Sequence, residues 1–236
     1  MQQPVPEEDS PETEPDRREP VFNIAGPALA MILACILVQV VRDFVLTPEQ
    51  DYELVLRTAF IPLRYTGGYT LDAFAFLSPL TYSLLHGSWL HLGVNMVWLA
   101  AFGSPLAARV GWLRFLLFWA ITALGAVGLH FALYPGEAIP LVGASGAISG
   151  MMAAAARYGF AVGHRSGIRA FEGPILSLGQ MVASRLVLSF LGIWFIANLV
   201  TGIASETTNP IAWQAHIGGF LAGFLVLPWI DPRRRR

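Results

Sequence analysis

The sequence predicts an all-α fold, a polytopic membrane helical bundle of six transmembrane helices, on three observations. Of 236 residues, 55% are hydrophobic and 13% charged, and the mean hydropathy is +0.55, a balance that no water-soluble domain sustains on its surface. Six apolar runs each approach the roughly 20 residues that a helix needs to cross a bilayer. The connections between them alternate between arginine-bearing and arginine-free, the charge pattern of a chain threaded repeatedly through a membrane.

Met1 to Pro20 carries Glu7, Glu8, Asp9, Glu12, Glu14, Asp16 and Glu19 among prolines and only two arginines. It is too polar to bury a core and reads as a disordered acidic tail. It lacks the basic start of a signal peptide. The membrane domain is expected over residues 21–231. Its first run, about Phe22–Val41, stops at Arg42-Asp43. Residues 47–79 then mix charges with Tyr, Phe and Pro, which suits a long external loop lying partly helical in the interface. Five further runs follow, near Thr81–Phe102, Trp112–Tyr134, Leu141–Phe160, Leu186–Ala204 and Ala212–Ile230.

Bases flank alternate connections: Arg109 and Arg114; then Arg157, Arg165, Arg169 and Arg185; then the basic C-terminus of residues 232–236. The positive-inside rule puts both termini in the cytoplasm and the 47–79 loop outside. Arg42, Arg57 and Arg64 fall outside on that reading. The single cysteine, Cys35, has no partner for a disulfide or a thiolate metal site. Nucleic-acid binding has no support, no cofactor or metal is expected, and no feature sets an oligomeric state.

Spans two, four and six start on the outer side and carry polar groups at similar depth, roughly 5–20 Å below the surface at 1.5 Å per residue. They are His91 and Asn95, Ser145, and His216. Intramembrane ionisable groups are costly and usually functional. Gly143-Ala144-Ser145-Gly146 by itself is more often helix packing than chemistry, so the partners decide. Ser145, at a helix N-terminus, is the candidate nucleophile, and His216 is its candidate general base. Gly146 and Gly150 on one helix and Gly219 and Gly223 on the other let the two backbones approach closely. His91 and Asn95, at i and i+4, share a face. Their donors suit an oxyanion hole beside the Ser145 backbone N–H.

In these motifs and their order, Gly143-Ala144-Ser145-Gly146, His91-x-x-x-Asn95 and Ala215-His216-x-x-Gly219-x-x-x-Gly223, the chain resembles the rhomboid family of intramembrane serine proteases. The resemblance covers residues 22–230. It implies a bacterial-type six-span core in the inner membrane, a Ser145–His216 dyad without an acid, and His91 and Asn95 at the oxyanion. His86 also matches a position where the family often has histidine. Two departures stand out: the Trp-Arg pair common in the first loop is missing, and Ser149 stands where an aromatic often stacks on the catalytic imidazole. His216 is then held by other neighbours.

His130, His164, Asn198, Thr201 and Gln214 read as interface, loop or interhelical hydrogen-bonding residues. Substrates are expected to be single-span membrane proteins cut near the outer end of the helix, where unwinding exposes backbone to water rather than lipid. Two other classes compete: an inactive rhomboid-like protein that binds membrane clients, and a small transporter, which would more often show an internal repeat.

Overall fold

The computed structural model describes residues 23–165, 167–205 and 212–231. The acidic tail, the C-terminal arginines and the connection around Glu206 lie outside the described residues.

Helix α1, Gly26–Phe44, starts with Pro27, whose missing N–H costs nothing in a first turn. Ala28, Ile32, Cys35 and Gln39 line its buried face, while Leu29, Leu33 and Leu37 are exposed, as a lipid-facing stripe requires. The segment that follows is ordered. Helix α2, Pro48–Thr58, opens on a capping box of Thr47 and Gln50. A 3₁₀ turn, Pro62–Tyr65, leads to α3, Ala73–Thr81, capped by Asp72 on the Ala75 N–H.

The second long helix begins later than the expected Thr81. Residues 82–84 form a 3₁₀ turn, and Ser88 caps α4, Trp89–Trp98, by accepting from the His91 N–H at 3.1 Å. The cap marks the start: Ser88 has extended backbone, and its side chain gives the first-turn N–H the partner that no preceding helical turn supplies. A π-helical stretch, Leu99–Gly103, joins α4 to α5, Ser104–Val110. Gly111, at φ +81°, breaks the chain before α6, Trp112–Leu133.

Among the described residues, five helices are long and apolar enough to cross a membrane: Gly26–Phe44, Trp89–Val110, Trp112–Leu133, Arg185–Gly202 and Trp213–Ile230. The expected fourth span, Leu141–Phe160, is instead a helix of 13 residues, α7, Ser145–Arg157, about 20 Å long. Leu141 is held extended by a two-way backbone bridge to Phe60, at 3.2 and 2.8 Å, so the helix cannot start before the chain turns inward. Every residue from Gly146 to Ala156 is buried. A helix wrapped in protein has no need to match the hydrocarbon thickness.

Beyond α7 the all-α expectation gains an exception. Strands β1, Val162–Arg165, and β2, Ile168–Phe171, pair antiparallel with Val162 opposite Phe171. Helix α8, Leu178–Ala183, and the long α9, Arg185–Ser205, follow; α10, Trp213–Ile230, closes the fold. Helix α10 packs most extensively on α6 and α7. The contrast between two candidate spans sets up the site: 39% of the α10 window is buried but only 11% of that in α9.

Candidate active site

The chain is steered into the site by backbone. Gly143 N–H donates to the Tyr82 carbonyl at 3.0 Å, and Gly143 itself has φ +125°, a conformation that favours glycine. One residue later Ala144 caps α7, and the first intrahelical bond runs from Ile148 N–H to the Ala144 carbonyl at 3.0 Å. The N–H groups of Ser145, Gly146 and Ala147 therefore sit ahead of the helical ladder, as free first-turn donors at the positive end of the dipole.

Helix α10 brings His216 to the same level, because both residues lie in the first turn of helices that run side by side. A Cβ on Gly219 would collide with the Gly146 backbone, and one on Gly223 would stand 2.5 Å from Gly150 Cα. Only glycine permits that approach. It leaves His216 Nε2 2.8 Å from Ser145 Oγ, with Ser145 partly accessible.

His91, in the first turn of α4, covers the same mouth. A Cβ on Gly143 would lie 3.0 Å from both His91 Cε1 and Nε2 and 3.5 Å from Ser145 Oγ. His91 Nδ1 accepts from the Gly87 N–H at 3.4 Å, so the ring's proton belongs on Nε2, the nitrogen that faces Gly143. Asn95, buried one turn on, donates Nδ2 to the His91 carbonyl at 2.9 Å. His86 stands behind rather than in the mouth: it is fully buried, its Nε2 accepts from the Ala144 N–H at 3.5 Å, and its ring lies edge-on to His91 at 5.2 Å. It buttresses both sides of the site from the loop before α4, not from the helix where the sequence suggested it.

Gln214 donates to the Tyr134 hydroxyl at 3.0 Å, and His130 stacks at a tilt on Tyr134 at 5.7 Å. Thr201 bonds its own helix, to the Ala197 carbonyl at 2.7 Å. Ser149 is buried in α7. Asn198, expected from the sequence to make an interhelical hydrogen bond, makes one between α9 and α10; what the sequence did not show is that its partner is the candidate base. Asn198 Oδ1 lies 2.6 Å from His216 Nδ1. One signal was available: a lone amide in a helix that is otherwise apolar over several turns.

Residues 74–233 match the family model of the Rhomboid domain. A chloroplastic protein of Arabidopsis thaliana described as Rhomboid-like protein 11 is 28% identical over 151 residues, 64% of this chain and 50% of that protein. The chain thus spans about half the length of the curated relative it matches.

Proposed function

This chain belongs to the rhomboid family, and from that premise we propose that it is an intramembrane serine endopeptidase working through a Ser145–His216 dyad. The observation that carries the reading is the 2.8 Å contact between Ser145 Oγ and His216 Nε2 at two adjacent helix N-termini. A nucleophile and base within hydrogen-bond reach, opening on a mouth lined by free backbone donors, is the arrangement acyl transfer needs.

In the proposed cycle Ser145 Oγ attacks the scissile carbonyl carbon while its proton passes to His216 Nε2. The oxyanion accepts from the Ser145 N–H, His91 Nε2–H and the second N–H of Asn95. His216 then protonates the leaving amine, the C–N bond breaks, and an acyl-serine remains. A water then adds to the ester carbonyl as it gives a proton to His216, and as the bond from the acyl carbon to Ser145 Oγ breaks His216 returns that proton to Oγ, releasing the carboxylic acid.

On this reading the short α7 completes six crossings inside a shell of the five longer helices. Both termini face the cytoplasm, the membrane is a bacterial inner membrane, and the substrates are single-span proteins opened near their outer ends. A client-binding role without proteolysis makes no use of the Ser145–His216 contact. The test is cleavage of a single-span reporter by the purified full chain in liposomes. Wild type should cut and react with a fluorophosphonate at Ser145; Ser145→Ala and His216→Ala should do neither while remaining folded. The double variant should be no worse than either single one, because the pair acts as a unit. Cleavage by Ser145→Ala at the wild-type rate would end the proposal.

A further inference from the structure

Asn198 occupies a place that burial and chemistry make unusual. Helix α9 is the least enclosed of the five long helices, with Ile193, Phe195, Ile196 and Val200 exposed, yet its one amide side chain is turned inward and 9% exposed. An asparagine facing lipid would leave its amide unsatisfied, and an inward one needs a partner. Both ends of this amide are occupied. Nδ2 donates to the Trp194 carbonyl at 2.7 Å, and Oδ1 lies 2.6 Å from His216 Nδ1.

The two contacts together determine a proton's location. Reversing the amide would set its oxygen against the Trp194 carbonyl, acceptor on acceptor, so the oxygen is the atom that faces His216. An amide oxygen only accepts, and Nδ1 must therefore be the N–H. A neutral imidazole protonated at Nδ1 has its lone pair on Nε2, the nitrogen 2.8 Å from Ser145 Oγ.

We propose that Asn198 is a positioning residue for His216, its amide oxygen holding the tautomer and ring angle in which Nε2 receives the Ser145 proton. The proposal rests on the protease reading above and deepens it from a dyad to an ordered Ser145–His216–Asn198 chain. During attack the Ser145 proton moves to Nε2 while Nδ1 keeps its own, and the resulting imidazolium still donates to Asn198 Oδ1. The neighbouring rung fixes the same register: Trp194, one turn before Asn198, stacks on Phe220, one turn after His216, with centroids 4.5 Å apart. Asn198 thereby links the seating of the loosely packed α9 to the state of the base.

The experiment uses the full chain, labelled with ¹⁵N-histidine, in lipid bilayers at about pH 8, above the ordinary imidazole range. The His216 resonances are assigned by difference from His216→Ala. In wild type, Nδ1 should resonate as protonated and Nε2 as bare; in Asn198→Leu the two tautomers should mix. Kinetics on the single-span reporter should show kcat lowered about 10–100-fold in Asn198→Leu, part of the 10²–10⁴ that a positioned base contributes, with KM within about twofold. Asn198→Asp, isosteric and still presenting an oxygen, should recover most of kcat. A packing role alone would move neither the tautomer nor the split between kcat and KM. A wild-type His216 protonated at Nε2, or Asn198→Leu with wild-type kcat, overturns the proposal. If Asn198→Leu does not fold, the wild-type shifts and the Asn198→Asp kcat decide. If wild type neither cleaves nor labels, the protease reading fails, while the nitrogen shifts still decide the Asn198 contact.

Discussion

Position 143 is glycine for two separate reasons: its φ of +125° turns the extended chain into the helix, and a side chain there would press on His91 at 3.0 Å. The angle aims the Ser145 N–H, and the empty space admits the His91 ring. If His91 donates Nε2–H to the oxyanion, its loss should act on the transition state rather than on binding. His91→Ala is expected to lower kcat by about 10²–10³, the usual effect of removing one such donor, with KM little changed in steady-state cleavage of a reporter in liposomes. A rise in KM at constant kcat would assign His91 to substrate binding instead.

Helices α7 and α10 touch through glycines, and a third contact of the same kind joins α6 to α10, where a Cβ on Gly125 would meet the Ala222 side chain and the Gly218 carbonyl. Close backbone approach of this sort drives helix association where lipid removes the hydrophobic incentive. Gly219→Val inserts three carbons against the Gly146 backbone, and should cost about 1–3 kcal/mol or more by overpacking. Thermal unfolding in detergent would register that cost, together with lost activity. At the far ends of the same helices the fold is tied by charge. Arg109 Nη2 and Nε donate to Asp231 Oδ2 at 2.5 and 3.1 Å, Nη1 donates to the Phe171 carbonyl at 3.0 Å, and the Tyr158 hydroxyl joins Asp231 at 3.2 Å. With both ionic side chains nearly fully buried, Arg109→Leu strands the carboxylate and should destabilise by about 3–5 kcal/mol. Arg109→Leu combined with Asp231→Leu should recover much of that loss in the same unfolding assay.

Taken as one body, the molecule gathers the N-terminal turns of α4, α7 and α10, which carry His91, Ser145 and His216, at one end and the Arg109–Asp231 pair at the other. The arginines that strained the charge rule are locally engaged: Arg42 pairs with Asp51 at 2.7 Å and donates to the His86 carbonyl at 2.6 Å, Arg57 pairs with Glu53 at 2.6 Å, and Arg64 donates to the Leu56 carbonyl. The other connections keep the alternating arginine pattern read from the sequence, and by the positive-inside rule the polar end should face outward and both termini inward. A cysteine introduced at Ser10 should stay unreacted with an impermeant thiol reagent on intact cells and react after permeabilisation, since the native Cys35 is buried. Labelling on intact cells would reverse the orientation.

Apolar content, the charge pattern and the i, i+4 glycines were legible in the sequence because each follows from local composition or from the fixed period of a helix. Membership in the rhomboid family rested on the same short motifs. Helix lengths were not legible where tertiary contacts override hydropathy. The Phe60–Leu141 bridge and the Ser88 cap delay two helices that apolar runs alone would extend, and the β1–β2 hairpin hides in a loop whose residues show no clean alternation. The partner of His216 was beyond reach for a different reason. Asn198 and His216 lie 18 residues apart on separate helices, and which face of α9 turns inward depends on packing against α10, a relation between elements that no single stretch of sequence encodes.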